Sequence, residues 1–528
     1  FVFDARDRTL TANGNVTNIP GNVTFISLDA RGGSDQLTLL GTDGSDTVVL
    51  RPGVALLEFI PGHDGFDFSA VNVETITADG RGGPRDTAFL DDSPGNDTFI
   101  SRAGETTIVV SGFFNQASNF CIVAGRFTAG GTLDQAFLVD SPGDDVAALT
   151  PTVANLNGGG FITQASGFDR VFADAISGGF NRVFFQDSPG ADLFESSPGP
   201  ARFTGPNYFA LARGFNVVSA RSPHGGTDVA RITDTPGDDN FVSRFNVTLL
   251  TGDNLVEAVD FETVELLATQ GGFDQAFLID GPGDDVLTAS SLSARFVGSG
   301  ITRQAIGFDV VAGRSLVGGN DSAVLFDTAG DDTAALSPGL TNLSTAAGLY
   351  LQAFAFEAVS VRAVNGGNDR AFLFDSNGND VLTASPTIVR LIGPGYLSEA
   401  AGFDSVAARA SNGTDRADFT DSAGNDLFTA DPSVATLRGD GYFNQAIGFD
   451  VVAAVASSGH DTARLTDSRG NDLFVARERQ GTLTGPGYSL FVNQFDVVDL
   501  FDTQGGINRI DQGTDLYTIN RFGSWQSG

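Results

Sequence analysis

The segment DTARLTDS, Asp461 to Ser468, alternates with a period of two: Asp461, Ala463, Leu465 and Asp467 share one face, and Thr462, Arg464 and Thr466 the other. DRADFTDS, from Asp415, sets Ala417 and Phe419 against Arg416, Asp418 and Thr420 in the same way. Successive side chains of a strand point to opposite faces, so these runs predict short β-strands with one buried face and one wet face. Each run is bounded by an Asp/Asn/Gly-rich hexapeptide such as DSNGND (Asp375 to Asp380), DSPGDD (Asp140 to Asp145) or DTAGDD (Asp327 to Asp332).

The last Asp of each hexapeptide is a ruler. It falls at Asp97, Asp145, Asp192, Asp239, Asp285, Asp332, Asp380, Asp426 and Asp472, in steps of 46 to 48 residues, and Asp46 precedes the series by 51, making ten repeats. A second mark, GFD or a variant, divides the repeat: GFDSVAARA from Gly402 can be laid on GNDLFTADP from Gly424. Asp404, Asp415 and Asp426 then fall 11 apart, each step reading as one strand plus one turn.

The strand after the hexapeptide carries a size exchange. Phe428 precedes Ala430, Phe474 precedes Ala476, Phe194 precedes Ser196 and Phe241 precedes Ser243, whereas Ala147 precedes Leu149 and Ala334 precedes Leu336. Volume lost at one inward position is restored at its neighbour, as a close-packed core requires.

Coils of about 23 residues with one apolar face predict an all-β fold, a parallel β-solenoid of some twenty coils, because no coil can bury its core without stacking on the next. A β-propeller is the rival, since four strands in about 45 residues also describe a blade. The internal half-repeat favours the solenoid. Residues 1–34 then form a strand-rich start, residues 35–504 the array, and residues 505–528, with the single Trp525, a degraded terminal repeat, cap or assembly end. The last quarter of the repeat, LIGPGYL, LRGDGYF or LTGPGYS around Tyr396, Tyr442 and Tyr488, reads as a glycine turn followed by a stacked aromatic used in packing.

Composition narrows function. All 30 basic residues are Arg, set against 65 acids, for a net charge of −35. Such a chain repels nucleic acid and anionic membranes and attracts cations. No run approaches the roughly 20 apolar residues needed to cross a bilayer, so membrane insertion is not expected. The chain begins at Phe1 without a charged-then-apolar leader, the expectation for a processed, secreted product. Cys121 is the single cysteine, which leaves no intrachain disulfide and predicts a buried thiol acting as a small apolar residue. His63, His224 and His460 lie in glycine-rich turns of different repeats with no recognisable Ser or Cys partner, so no catalytic residue is assigned and an enzyme is not expected. A polysaccharide-active β-helix enzyme would place its groove over the irregular 51-residue step, with Asp64 or Asp67 at work.

The hexapeptides admit two readings. Asp and Asn bond their own backbone in turns and Gly supplies positive φ, so the motif can be a corner and nothing more. Calcium wants six to eight oxygen ligands, and the motif offers them in sets: Asp140, Asp144, Asp145; Asp234, Asp238, Asp239; Asp280, Asp284, Asp285; and Asp327, Asp331, Asp332. Asp375 with Asp380, Asp421 with Asp426, and Asp467 with Asp472 are the corresponding pairs where Asn replaces the middle acid. GGNDRAFLFDSNGND, Gly366 to Asp380, resembles the haemolysin-type calcium-binding repeats called RTX, whose turns bind calcium along a parallel β-roll. The Asp spacing here is 11 and 12, where that family uses 9. The array is also similar to repetitive bacterial cell-surface β-solenoid proteins.

These features lead to the expectation of an extracellular structural protein, a rigid acidic solenoid forming or decorating a cell-surface or matrix fibre. Its partners would be copies of itself, stacked head to tail, and surface or matrix polysaccharide. A calcium-binding adhesin or secretion module is the alternative, with calcium as the cofactor.

Overall fold

A computed structural model describes residues 1–59 and 67–528. His63 and Asp64 lie outside the described residues. The chain divides into two compact units, one formed by Phe1–Asp239 with Asn246–Gly272 and the other by Asn240–Phe245 with Phe273–Gly528. Both are built from short strands, with no helix among the described residues. The fold is a parallel β-solenoid of about 14 turns.

The second unit shows the rule of construction. Strand Val381–Ala384 follows the hexapeptide in one sheet, reverses into Ile388–Gly393, and reverses again into Tyr396–Ala401. The chain then crosses to the facing sheet as Ser405–Arg409 and returns as Arg416–Thr420. That returning strand pairs in parallel with Val381–Ala384, on the side away from Ile388–Gly393. The next hexapeptide starts an identical meander, Leu427–Ala430, Val434–Gly439 and Tyr442–Ile447, in the facing sheet, and its last strand lies parallel to Ser405–Arg409. Each repeat therefore lays one strand ahead and back-fills the gap with a hairpin. Successive meanders alternate between the two sheets. The first unit follows the same course, with Leu193–Ser196, Pro200–Gly205 and Tyr208–Arg213 as one meander.

This back-filling is why the turn count falls short of twenty. The steps of 11 are real, since Asp404, Asp415 and Asp426 each stand just before a strand and those strands alternate between sheets. Parallel neighbours nevertheless lie about 35 residues apart, as in Asp380 with Asp415 and Asp415 with Asp450, because two strands of every repeat are spent inside the meander.

The alternation builds the core as expected. Phe428, Phe474, Phe194 and Phe241 are wholly buried, and their small partners Ala430, Ala476, Ser196 and Ser243 are buried beside them. In the ladder Phe428 lies on Ala463 and Ala430 on Leu465, so large stacks on small from one coil to the next. Cys121 departs from expectation in being half-buried, its Sγ directed at the Gly83 carbonyl at 3.3 Å.

Deleting a buried aromatic from such a core leaves a cavity. Phe428→Ala is expected to cost about 3–5 kcal/mol in urea unfolding, while Thr429→Ala, on the exposed face of the same strand, should stay within about 0.5 kcal/mol. Equal losses at the two positions would contradict the inward and outward assignment.

Candidate metal sites

A strand that begins at a solenoid corner has amide groups with no ladder partner, and a buried unpaired N–H costs free energy comparable to a lost hydrogen bond. The acidic residues of the repeat meet this need. The backbone N–H of Asp380 donates to Asp415 Oδ1 at 2.8 Å, and that of Asp415 donates to Asp450 Oδ2 at 2.8 Å. Asp332, Asp369 and Asp404 form the same relay at 2.8 Å per step, and Asp426, Asp461 and Asp496 do so at 2.9 and 3.0 Å. Each carboxylate thus caps the strand one coil earlier. Charge-assisted bonds of this kind are roughly twice as strong as neutral ones.

All three acidic positions of the hexapeptide are used. The first accepts amides from the following coil: Ile176 and Ser177 donate to Asp140, Gln270 to Asp234, Val317 to Asp280, Val364 and Asn365 to Asp327, Ser411 to Asp375, and Thr503 to Asp467. The fifth accepts one amide through Oδ1, whether from Phe180 to Asp144, Asn320 to Asp284, Asn368 to Asp331, or Thr414 to Asn379. An amide oxygen serves there as well as a carboxylate, which explains the exchange of Asn for Asp. The sixth is buried and accepts the hydroxyl or amide of the Ser or Thr four residues earlier, as Ser141 donates to Asp145, Thr235 to Asp239, Thr328 to Asp332 and Ser468 to Asp472.

The tyrosines belong to this system. The phenols of Tyr396, Tyr442 and Tyr488 donate to Asp380, Asp426 and Asp472 at 2.8, 2.7 and 2.7 Å. Burial and then the accepting carboxylate push each phenol well above its ordinary range. A Cβ on Gly439 would stand 1.8 Å from Asp426 Oδ1 and 2.5 Å from the Tyr442 ring, so the glycine of the turn is required by this contact. Sequence reasoning saw the aromatic row and missed its acceptor, although the constant interval of 16 residues between Asp and Tyr carried the signal.

The expected metal sets regroup. Asp144, Asp238, Asp284 and Asp331 are exposed, unlike the buried acids beside them. The third member of each buried group comes from the following coil. Asp327, Asp332 and Asp369 form one cluster whose carboxylate oxygens lie within 4.8 Å of one another, and Asp375, Asp380, Asp415 and Asp421, Asp426, Asp461 form two more. These three clusters, buried apart from the half-buried Asp375, could hold a metal ion. Asp467 and Asp472 meet Asn508 instead, and Asp140 and Asp145 meet Asn181, each amide donating to the first Asp at 2.9 and 3.2 Å. Asp234 and Asp239 are both buried in the first unit.

One rung breaks the pattern. Gly281 stands where other repeats have Ser or Thr, and Ile301 where Tyr396 stands two repeats later, so neither oxygen of Asp285 has a hydrogen-bond partner. Burial, followed by the charges of Asp321 and Asp280, pushes Asp285 up to about 6. Arg303, buried nearby and donating to the Phe245 carbonyl at 2.8 Å, supplies the opposing charge, and burial draws its own value down to about 10. Asp86 and Asp421 are likewise raised to about 6, chiefly by burial. Of the histidines, His224 bonds Asp187 through both its amide and Nδ1, at 2.9 and 2.6 Å, and is a corner residue like its counterparts.

No protein-family model and no curated protein matches this chain.

The raised carboxyls make the fold bind protons more tightly than the unfolded chain, whose aspartates titrate near 3.8. The penalty for ionising Asp86, Asp285 and Asp421 stands in full above about pH 6 and is relieved as pH falls through that value. Tm measured in chelator should therefore rise between about pH 7.5 and about pH 5, and a fall over that interval would contradict the assignment.

Proposed function

We propose that this protein is a passive extracellular structural element, an acidic β-solenoid that forms or decorates a cell-surface or matrix fibre. What carries the reading is the destination of the carboxylates. Side chains that could serve chemistry are committed, repeat after repeat, to bonds from one coil to the next, and such bonds stiffen a stack. A remaining surface rich in Asp favours partners that are neutral or cationic, and polysaccharide and further copies of the chain fit that description. In this role the protein catalyses no reaction.

Calcium is the ion we propose for the buried clusters, because it takes all-oxygen ligand sets and tolerates irregular geometry. The same clusters favour a second reading, a calcium-binding adhesin or secretion module that folds only outside the cell. Circular dichroism separates the two. A structural solenoid keeps its β signal in chelator, and the second reading requires the signal to appear only with roughly millimolar calcium.

The first reading is tested by immunogold labelling and negative-stain imaging of native material. Label over filaments or an outer layer is expected. Label confined to the cell interior would overturn the extracellular role, and monodisperse monomers across a range of protein and calcium concentrations would remove the fibre.

A further inference from the structure

Seven of the solenoid corners can be compared side by side, and they divide by whether a donor stands between the buried acids. The residue that follows the strand one coil after the hexapeptide occupies an equivalent place in each, since its amide always donates to the last residue of a strand in the next coil. At two rungs it is Ser: Ser222 Oγ bridges Asp187 and Asp228 at 3.2 and 2.5 Å, and Ser315 Oγ donates to Asp321 at 2.5 Å. At two others the donor is the side-chain amide of Asn181 or Asn508. At the three clusters of the second unit the same place holds Ala363, Ala410 and Ala456, and the third group is Asp rather than Asn. No hydroxyl takes that place there, although Asn365 Nδ2 reaches Asp327 in the first of the three at 2.8 Å. Three carboxylates face one another across less than 4.8 Å.

Among these, the cluster of Asp421, Asp426 and Asp461 is the least provided for. Asp421 is 9% exposed, and neither of its carboxylate oxygens has a hydrogen-bond partner. In the sister corners the first Asp accepts one or two amides of the next coil, as Asp375 does from Ser411 at 2.6 Å. Ser457, the counterpart of Ser411, lies close enough to favour the charged form of Asp421, yet its hydroxyl is donated to the Ser422 carbonyl at 2.6 Å. Unpartnered buried carboxylate oxygens are costly, and a hard cation would satisfy them as the Ser and Asn donors do elsewhere.

We propose that Asp421, Asp426 and Asp461 bind one divalent cation of the calcium type, which takes the place of the Ser or Asn donor present at four of the other corners. The proposal rests on the calcium reading above and names the site. Binding is favoured by charge count, three acids against two acids and an amide, and by the small Ala456, which brings no hydroxyl of the Ser222 kind to Asp421 and Asp461.

The test counts calcium bound per full-length chain by equilibrium dialysis at roughly 1 mM free ion, with thermal melts in parallel. Ala456→Ser supplies the hydroxyl of Ser222 without touching an acid, and Asp461→Asn reproduces the Asn508 corner. Each should lower the count by one, shrink the calcium-induced rise in Tm, and raise Tm in chelator. Asn508→Asp should add one ion by completing a third acid beside Asp467 and Asp472. Should Asp461→Asn fail to fold, Ala456→Ser carries the same readout. Wild-type protein that binds calcium with a count unchanged in both variants would overturn this site and leave calcium binding elsewhere intact. A wild type that binds none would overturn the site and the calcium reading together.

Discussion

The structure depends on one bond, the strand-initial amide of one coil donating to a carboxylate of the next. Sheet ladders satisfy amides along a strand but not at the corner, where the chain turns away from its neighbour. By placing an acid or Asn just before the strands that lie outside the meander hairpins, the repeat provides a cap for the previous coil and presents its own amide to the following one. The apolar interior supplies the driving force for stacking. The relay fixes which coil stacks on which and in what register.

That economy has an electrostatic cost. Acids lined up at coil spacing repel one another, and burial penalises their charge further, so the caps are held in forms that a proton, a neighbouring donor or a cation must stabilise. The repeats answer this in several ways: Tyr442 and its counterparts with a phenol, Ser222 and Ser315 with a hydroxyl, Asn181 and Asn508 with an amide, and Arg303 with a full charge. The diversity of these solutions at one structural position shows that the demand comes from the relay and not from any single ligand.

Much of this was legible in the sequence. Period-two alternation identified the buried faces of Asp415–Thr420 and Asp461–Thr466, and the exchange of Phe428 and Ala430 for Ala147 and Leu149 identified a close-packed interior. What could not be read was strand order. Alternation says which face a residue takes, whereas the neighbour of a strand depends on where the chain reverses, and the reversal at Gly439–Tyr442 leaves only a glycine turn as its trace. For the same reason the metal sets were drawn within one hexapeptide. Asp461 belongs with Asp421 and Asp426 because a coil separates them, and a linear reading groups what is adjacent in the chain.

The alternation of meanders between sheets gives the array a parity. Within a unit, a repeat carries its back-filled hairpin on the face opposite to that of the repeats flanking it. Loss or duplication of a single repeat would shift everything downstream by one step of the alternation, so that its meanders fall on the other side. Length changes of two repeats keep the faces, and changes of one exchange them, so gain or loss of a repeat can invert the display of a surface without altering a residue in it.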